Sequence, residues 1–178
     1  MEAARNGDRE AYADLIRSRG DRLYAIAQRI LRDVHRTEDA VQDALVIAWR
    51  DLPDLRDPDR FDAWLHRLVV NACLKEATRT RRAMANLHAL PDEPASDVDE
   101  YRVIAVRDQL DRGFRRLPVE QRAILVLRYY AGFEPTEIAD ILGIPAGTAR
   151  SRLHHAHRAL RAALEADARS TTTRGSAA

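Results

Sequence analysis

Apolar residues recur along this chain every three or four positions and nowhere alternate convincingly, the pattern of helices that each bury one face. Tyr12, Leu15, Ile16, Leu23, Ile26, Ala27 and Ile30 form a first stripe, and Val41, Ala44, Leu45, Ala48 and Trp49 a second. A third runs through Phe61, Trp64, Leu65, Leu68, Val69 and Ala72. Three amphipathic helices that each offer one apolar face have to bury those faces together, which predicts a compact N-terminal helical unit over residues 1–82. The stretch Leu52 to Arg60, with Pro53 and Pro58, reads as the loop between the second and third stripes. Over 83–102 the periodicity fades, and Pro91 and Pro94 stand among Asp92, Glu93, Asp97, Asp99 and Glu100, the composition of a linker. Val103, Val106, Leu110, Phe114 and Leu117 restore the helical spacing, and Ile124, Leu125 and Leu127 carry it to a stop at Gly132, so a second helical unit spans 103–166. Residues 167–178 read as a disordered tail. The expected fold class is all-α: two small helical domains joined by an acidic linker.

Residues 133–160 carry the most specific local signal. Pro135 suits the first turn of a helix that buries Ile138, Ala139 and Leu142, Gly143 follows as its stop, and Pro145 opens another helix. The inward face of that second helix is Ala149, Leu153, Ala156 and Leu160, which leaves Thr148, Ser151, Arg152 and His155 as an outward stripe flanked by Arg150 and His154. Small residues inside and hydrogen-bond donors outside suit a helix that enters a DNA major groove. Gly147 and Thr148 leave first-turn N–H groups open to a phosphate. A helical hairpin with merely solvated arginines has the same periodicity. Two features favour a helix-turn-helix: the short turn Leu142-Gly143-Ile144-Pro145, and an exposed stripe that contains no carboxylate.

The net charge of +1 over 178 residues hides a strong segmentation. By segment the chain carries −1 over 1–56, +2 over 57–82, −5 over 83–111 and +5 over 112–178. Two basic regions around an acidic connector point to a polyanion held at two places, although charge runs also arise as solvated faces. All basic residues but Lys75 are arginine, which suits bidentate contacts to phosphate and guanine and equally fits a compositional bias of the genome. No apolar run is long enough to cross a membrane, and no secretory signal pattern opens the chain, so the expected location is cytoplasmic. The single cysteine, Cys73, excludes an internal disulfide and reads as a small core residue.

A second basic surface lies on the third stripe's helix. Arg67, Asn71, Lys75 and Arg79 recur every four residues along one polar edge, with Arg82 three further on. All are donors, so the edge can follow a phosphate backbone while Asn71 reads a base. Glu76 lies off this edge. The helix before it has the opposite character: Glu38, Asp39, Gln42 and Asp43 form an acidic face that repels DNA and suits a basic protein partner. The same carboxylates also complement the helix dipole.

With these pieces assembled, the chain resembles a bacterial RNA polymerase sigma factor of the sigma-70 family, in the small extracytoplasmic-function group. The stretches that carry the resemblance are TEDAVQDALVIAWR (37–50), FDAWLHRLVVNACLKEATRTRR (61–82) and LPVEQRAILVLRYYAGFEPTEIADILGIPAGTARSRLHHAHRAL (117–160). It implies core RNA polymerase and promoter DNA as partners, with an anti-sigma factor as a common further one, no cofactor and no enzymatic activity. By resemblance, Asp39, Gln42 and Asp43 dock on the clamp coiled coil, and the C-terminal unit meets the flap. Arg60, Arg67, Asn71, Lys75 and Arg79 bind the minus-10 element beside a base flipped from the non-template strand. Thr148, Arg150, Ser151, Arg152, His154 and His155 read the minus-35 element. The linker threads the RNA-exit region of polymerase as a mimic of nucleic acid. Flipping a base costs a few kcal/mol, so the free protein is expected to melt nothing.

Two departures from the family pattern stand out. His155 and His157 stand where relatives often carry arginine. Neutral imidazole is a poor replacement against phosphate, so minus-35 binding is expected to be weaker and to tighten on acidification. Glu134 stands where the family usually places a serine cap, so that helix start is expected to be loose. A self-sufficient helix-turn-helix repressor or activator is the alternative from another class, but the chain offers no spare apolar face or heptad run for a dimer. An enzyme would have to be built from scattered groups: His66 and Cys73 are seven apart, His154, His155 and His157 share no ligating face, and no Gly-x-Ser-x-Gly or Walker motif occurs.

Overall fold

The computed structural model describes residues 1–86 and 103–175. Its helices are α1 (Glu2–Arg5), α2 (Arg9–Arg17), α3 (Gly20–Leu31), α4 (Val34–Asp51), α5 (Phe61–Asn86), α6 (Val103–Arg115), α7 (Val119–Leu125), α8 (Pro135–Leu142) and α9 (Ala146–Gly175). Short 3-10 turns at Leu52–Asp54 and Pro58–Arg60 join α4 to α5, and a π turn at Val126–Tyr130 extends α7. Among the described residues there is no strand.

The N-terminal unit is set by its caps and its apolar rows. Asp8 accepts from the backbone N–H groups of Glu10 and Ala11 at 2.9 and 3.0 Å and so starts α2. The first apolar stripe, expected as one helix, is two: the Ser18 hydroxyl and the Arg19 guanidinium both donate to the Leu15 carbonyl, while Arg19 N–H tightens onto Ile16 O at 2.9 Å. These local bonds compete with the helical ladder and end α2. Asp33 starts α4 by accepting from Arg36 N–H at 2.9 Å. Arg32, between α3 and α4, holds a left-handed backbone with φ 59°, a conformation that costs a non-glycine residue about 1 kcal/mol. Helix α4 buries Ala40, Ala44 and Ala48, α3 buries Leu23, Ile26, Ala27 and Ile30, and α5 buries Phe61, Leu65, Val69, Val70 and Cys73. Helix α4 packs along α5, and α3 lies against both.

In the C-terminal unit α9 packs against α6, α7 and α8. Its buried positions are Ala149 and Ala156, with Leu153 and Leu160 half-buried beside them, as the spacing implied. Helix α9 continues to Gly175, which corrects the tail expected from residue 167. The run from Arg161 to Arg169 is rich in Ala, Arg, Leu and Glu, all strong helix formers, and no glycine or proline interrupts it before Gly175. The expected linker lies mostly in 87–102, outside the described residues, as do 176–178. The two units are packed together, α3 and α5 against α7, the π turn and α8.

Cys73 is fully buried, and loss of hydration pushes its thiol up to about 12. The native chain is expected to resist maleimide at neutral pH and to take one label once unfolded in urea, as read by mass spectrometry.

Candidate nucleic-acid and polymerase interfaces

The helix-turn-helix is formed by α8, the turn Gly143-Ile144-Pro145 and α9. Gly143 adopts φ 65°, and Ile144 N–H donates back to Ala139 O at 3.0 Å, a Schellman-type stop that needs a residue tolerating the left-handed region. The start of α8 is firmly held, against expectation. Glu134 N–H donates to Glu137 Oε2 at 2.7 Å, half of a capping box, while Arg128 donates to the Glu134 carboxylate at 2.7 Å. Neither bond follows from Glu134 alone, because one partner lies three residues on and the other on the π turn.

Along α9, Arg150, Ser151, Arg152, His154 and His155 are exposed and Thr148 is half-buried, so the six side chains expected to read a groove lie on the outer side of the helix. The rings of His154 and His155 stand 6.0 Å apart. His157 belongs elsewhere: its Nε2 is hydrogen-bonded to the Tyr129 hydroxyl at 2.5 Å, with ring centroids 5.0 Å apart. The imidazole is therefore occupied within the unit.

On α5, Arg67, Asn71, Lys75 and Arg79 are exposed along one edge, and Arg60 is exposed in the preceding turn. Two of these arginines face the C-terminal unit. Arg60 pairs with Asp140 of α8 at 3.3 Å, and the Arg67 guanidinium lies 3.6 Å from where a Cβ on Gly143 would stand. Arg79 is also engaged. It pairs with Glu76 at 2.9 Å and stands 3.8 Å from Asp39 of α4. Glu76 is 8% exposed, so the residue that seemed merely off the edge is a buried counterion for it.

Asp39, Gln42 and Asp43 are exposed together on α4. The residue missed by sequence reasoning is Val46, 62% exposed three positions after Asp43 and seven after Asp39. Its signal was present, since that spacing returns a helical residue to the same face. Val46 borders an open groove of about 500 Å³ with Tyr12, Val41, Leu45 and Trp49, and Gln42 stands at its rim. Tyr12 closes one wall. Its hydroxyl donates to Leu45 O at 2.7 Å, its ring meets Trp49 edge-on at 5.0 Å, and burial pushes its phenol up to about 12.

Comparison with known proteins matches residues 15–83 to sigma-70 region 2 and residues 107–160 to sigma-70 region 4. The chain is 37% identical over 150 residues to the ECF RNA polymerase sigma factor SigM of Mycobacterium tuberculosis, a match covering 82% of this chain and 73% of that protein. It belongs to the sigma-70 family. More narrowly, it is a sigma factor of the extracytoplasmic-function group, proteins of transcription initiation that direct RNA polymerase to promoters. Helices α3 and α4 and most of α5 lie within the region 2 match, and α8 with the first half of α9 lies within that to region 4. SigW of Bacillus subtilis is 24% identical over 173 residues, covering 90% of this chain and 92% of its own. Among solved structures, CnrH in complex with the cytosolic domain of CnrY superimposes with a TM-score of 0.65 at 30% identity, covering 93% and 95% of the two chains. The sigma factor RpoE in complex with the anti-sigma factor NepR, from Bartonella quintana, shares the fold with a TM-score of 0.72 at 23% identity, covering 89% and 99%. No described helix is long and apolar enough to cross a membrane.

The cap on α8 is a direct test of how firmly this sigma factor holds its helix-turn-helix. Replacing Glu137 with Ala is expected to cost about 1 kcal/mol of stability in urea unfolding, the ordinary cost of losing a cap bond.

Proposed function

We propose that this sigma factor docks on core RNA polymerase through α4, engages the minus-10 element with the edge of α5, and reads the minus-35 element with α9. The observation that carries this reading is the outward donor stripe of α9, set by a helix-turn-helix and free of carboxylates from Thr148 to His155. Arg150 and Arg152 are the bidentate readers, each worth about 1–3 kcal/mol of discrimination against a wrong base. Thr148, Ser151, His154 and His155 add hydroxyl and imidazole contacts. On α5, Lys75 and Arg67 follow phosphates while Asn71 reads a base edge, with Arg60 at the flipped base and Arg79 at the far end. Asp39, Gln42 and Asp43 meet a basic surface of the polymerase clamp, and Val46 adds apolar contact beside the groove. The C-terminal unit reaches the flap, and the site of action is the cytoplasm. The two solved neighbours held by regulatory chains support an anti-sigma factor as a further partner.

Single-round transcription from a genomic fragment pool, with bacterial core polymerase and with or without this protein, tests the reading. Discrete start sites are expected only with the protein. A duplex-DNA shift by the protein alone, with no new start sites, overturns it in favour of a repressor.

Within the minus-35 contact, His155→Arg is expected to tighten binding on the order of tenfold at neutral pH, the value of one charge-assisted hydrogen bond. His157→Arg is expected to add nothing, because that position faces Tyr129. Fluorescence anisotropy on minus-35 duplexes measures both.

A further inference from the structure

Several arginines of the N-terminal unit reach across the face on which the two units meet. Arg22 donates to the Ala131 carbonyl at 2.7 Å, Arg32 pairs with Asp111 at 3.3 Å, Arg60 with Asp140 at 3.3 Å and Arg81 with Glu120 at 3.2 Å. The Arg29 guanidinium lies 3.7 Å from the Tyr130 ring centroid. Most of these ion pairs are well exposed, so each contributes little and none alone decides whether the units stay together.

His66 is different in kind. It is 8% exposed, and its ring meets the edge of Phe133, from the loop before α8, with centroids 5.0 Å apart. Its Nδ1 donates to the Asp62 carbonyl at 2.6 Å, and its Nε2 is buried without a hydrogen-bond partner. The neutral ring is the form this geometry accepts. A proton on Nε2 would create a buried N–H with no acceptor and a positive charge beside Arg19 and Arg22.

The charged groups around it can be named element by element. From α5 comes Asp62, already ion-paired with Arg19, and from the start of α3 come Arg19 and Arg22. The C-terminal side supplies Phe133 and the Ala131 carbonyl, the latter occupied by Arg22. The nearest ion pair of that loop, Arg128 with Glu134, is closed on itself, and Arg128 also donates to Phe133 O at 3.2 Å. No carboxylate in this set is left over to receive an imidazolium.

We infer that the packing of the C-terminal unit on α3 and α5 is a closed state latched by neutral His66, and that protonation of His66 releases the unit and frees Arg60 from its pairing with Asp140. That freeing Arg60 matters for DNA rests on the promoter reading above. The latch itself rests only on the contacts between the units. Burial lowers the proton affinity of His66, the Asp62 carbonyl partly opposes this, and Arg22 adds to the lowering. When Phe133 withdraws, water reaches the ring and its affinity returns toward the ordinary value of 6.5. The open state therefore binds more protons below that value, so the closed state holds fully above it and is lost as pH falls through it.

Small-angle X-ray scattering on the full chain, titrated from about pH 8 to about pH 5.5 across the histidine range, tests the latch without polymerase or DNA. Failure of the promoter reading would leave this result untouched. At high pH the radius of gyration is expected near the roughly 16 Å of a compact chain of this length, rising by several ångströms on acidification. His66→Phe, which keeps the aromatic edge, and His66→Leu, which keeps the bulk, are expected to remain compact over the same range, with helicity checked by circular dichroism. A wild-type chain of constant size, one already extended at high pH, or expansion at the same pH in both variants overturns the inference.

Discussion

Ala40, Ala44 and Ala48 stand on one line of α4, each at most 2% exposed, and this line is the side on which α3 and α5 pack. Side chains this small allow close approach of the helix axes, so the orientation of α4 about its own axis is narrowly determined. The opposite face is then obliged to point outward, and it carries Asp39, Gln42, Asp43 and the exposed Val46. The same packing turns the buried row of α5 inward and leaves Arg67, Asn71, Lys75 and Arg79 on an outer edge. The two surfaces meet where Arg79 stands between Glu76 and Asp39. A larger residue at Ala44 would displace the acidic face and the cationic edge together.

In the C-terminal unit Ala149 and Ala156 play the corresponding part for α9, seating it against the unit so that its donors face out. There the local chemistry is arranged to keep α8 and the π turn in register. Glu137 and Arg128 hold the start of α8 from two sides, and Tyr129 takes His157 out of the exposed stripe. The result is a rigid reading head whose exposed face is made of side chains with no internal task. Between the units the arrangement is looser in kind: exposed ion pairs, one stacked arginine and a single buried imidazole.

The all-α class, the three apolar stripes, the inward and outward faces of α9 and the family itself were legible in the residues, because each depends on spacing within one helix or on contiguous motifs. The break at Ser18 and Arg19 was not, because it turns on which donor captures the Leu15 carbonyl. The firm start of α8 was hidden for a similar reason, since Arg128 reaches Glu134 only after the π turn has placed it. His66 figured in the sequence only as a group seven residues from Cys73. Its ring contact is with Phe133, which is 67 positions away in the chain and contributes nothing to local periodicity.

By itself, then, the sequence determined the helical class, the buried faces and the chemistry each face exposes, since a 3.6-residue repeat of apolar and polar positions is a local property that survives any docking. Only the tertiary structure decided which exposed groups are free to act and which are engaged. Arg60 meets Asp140, Arg79 reaches Asp39, and His66 meets the edge of Phe133, because such pairings depend on distances between segments that no spacing along the chain records.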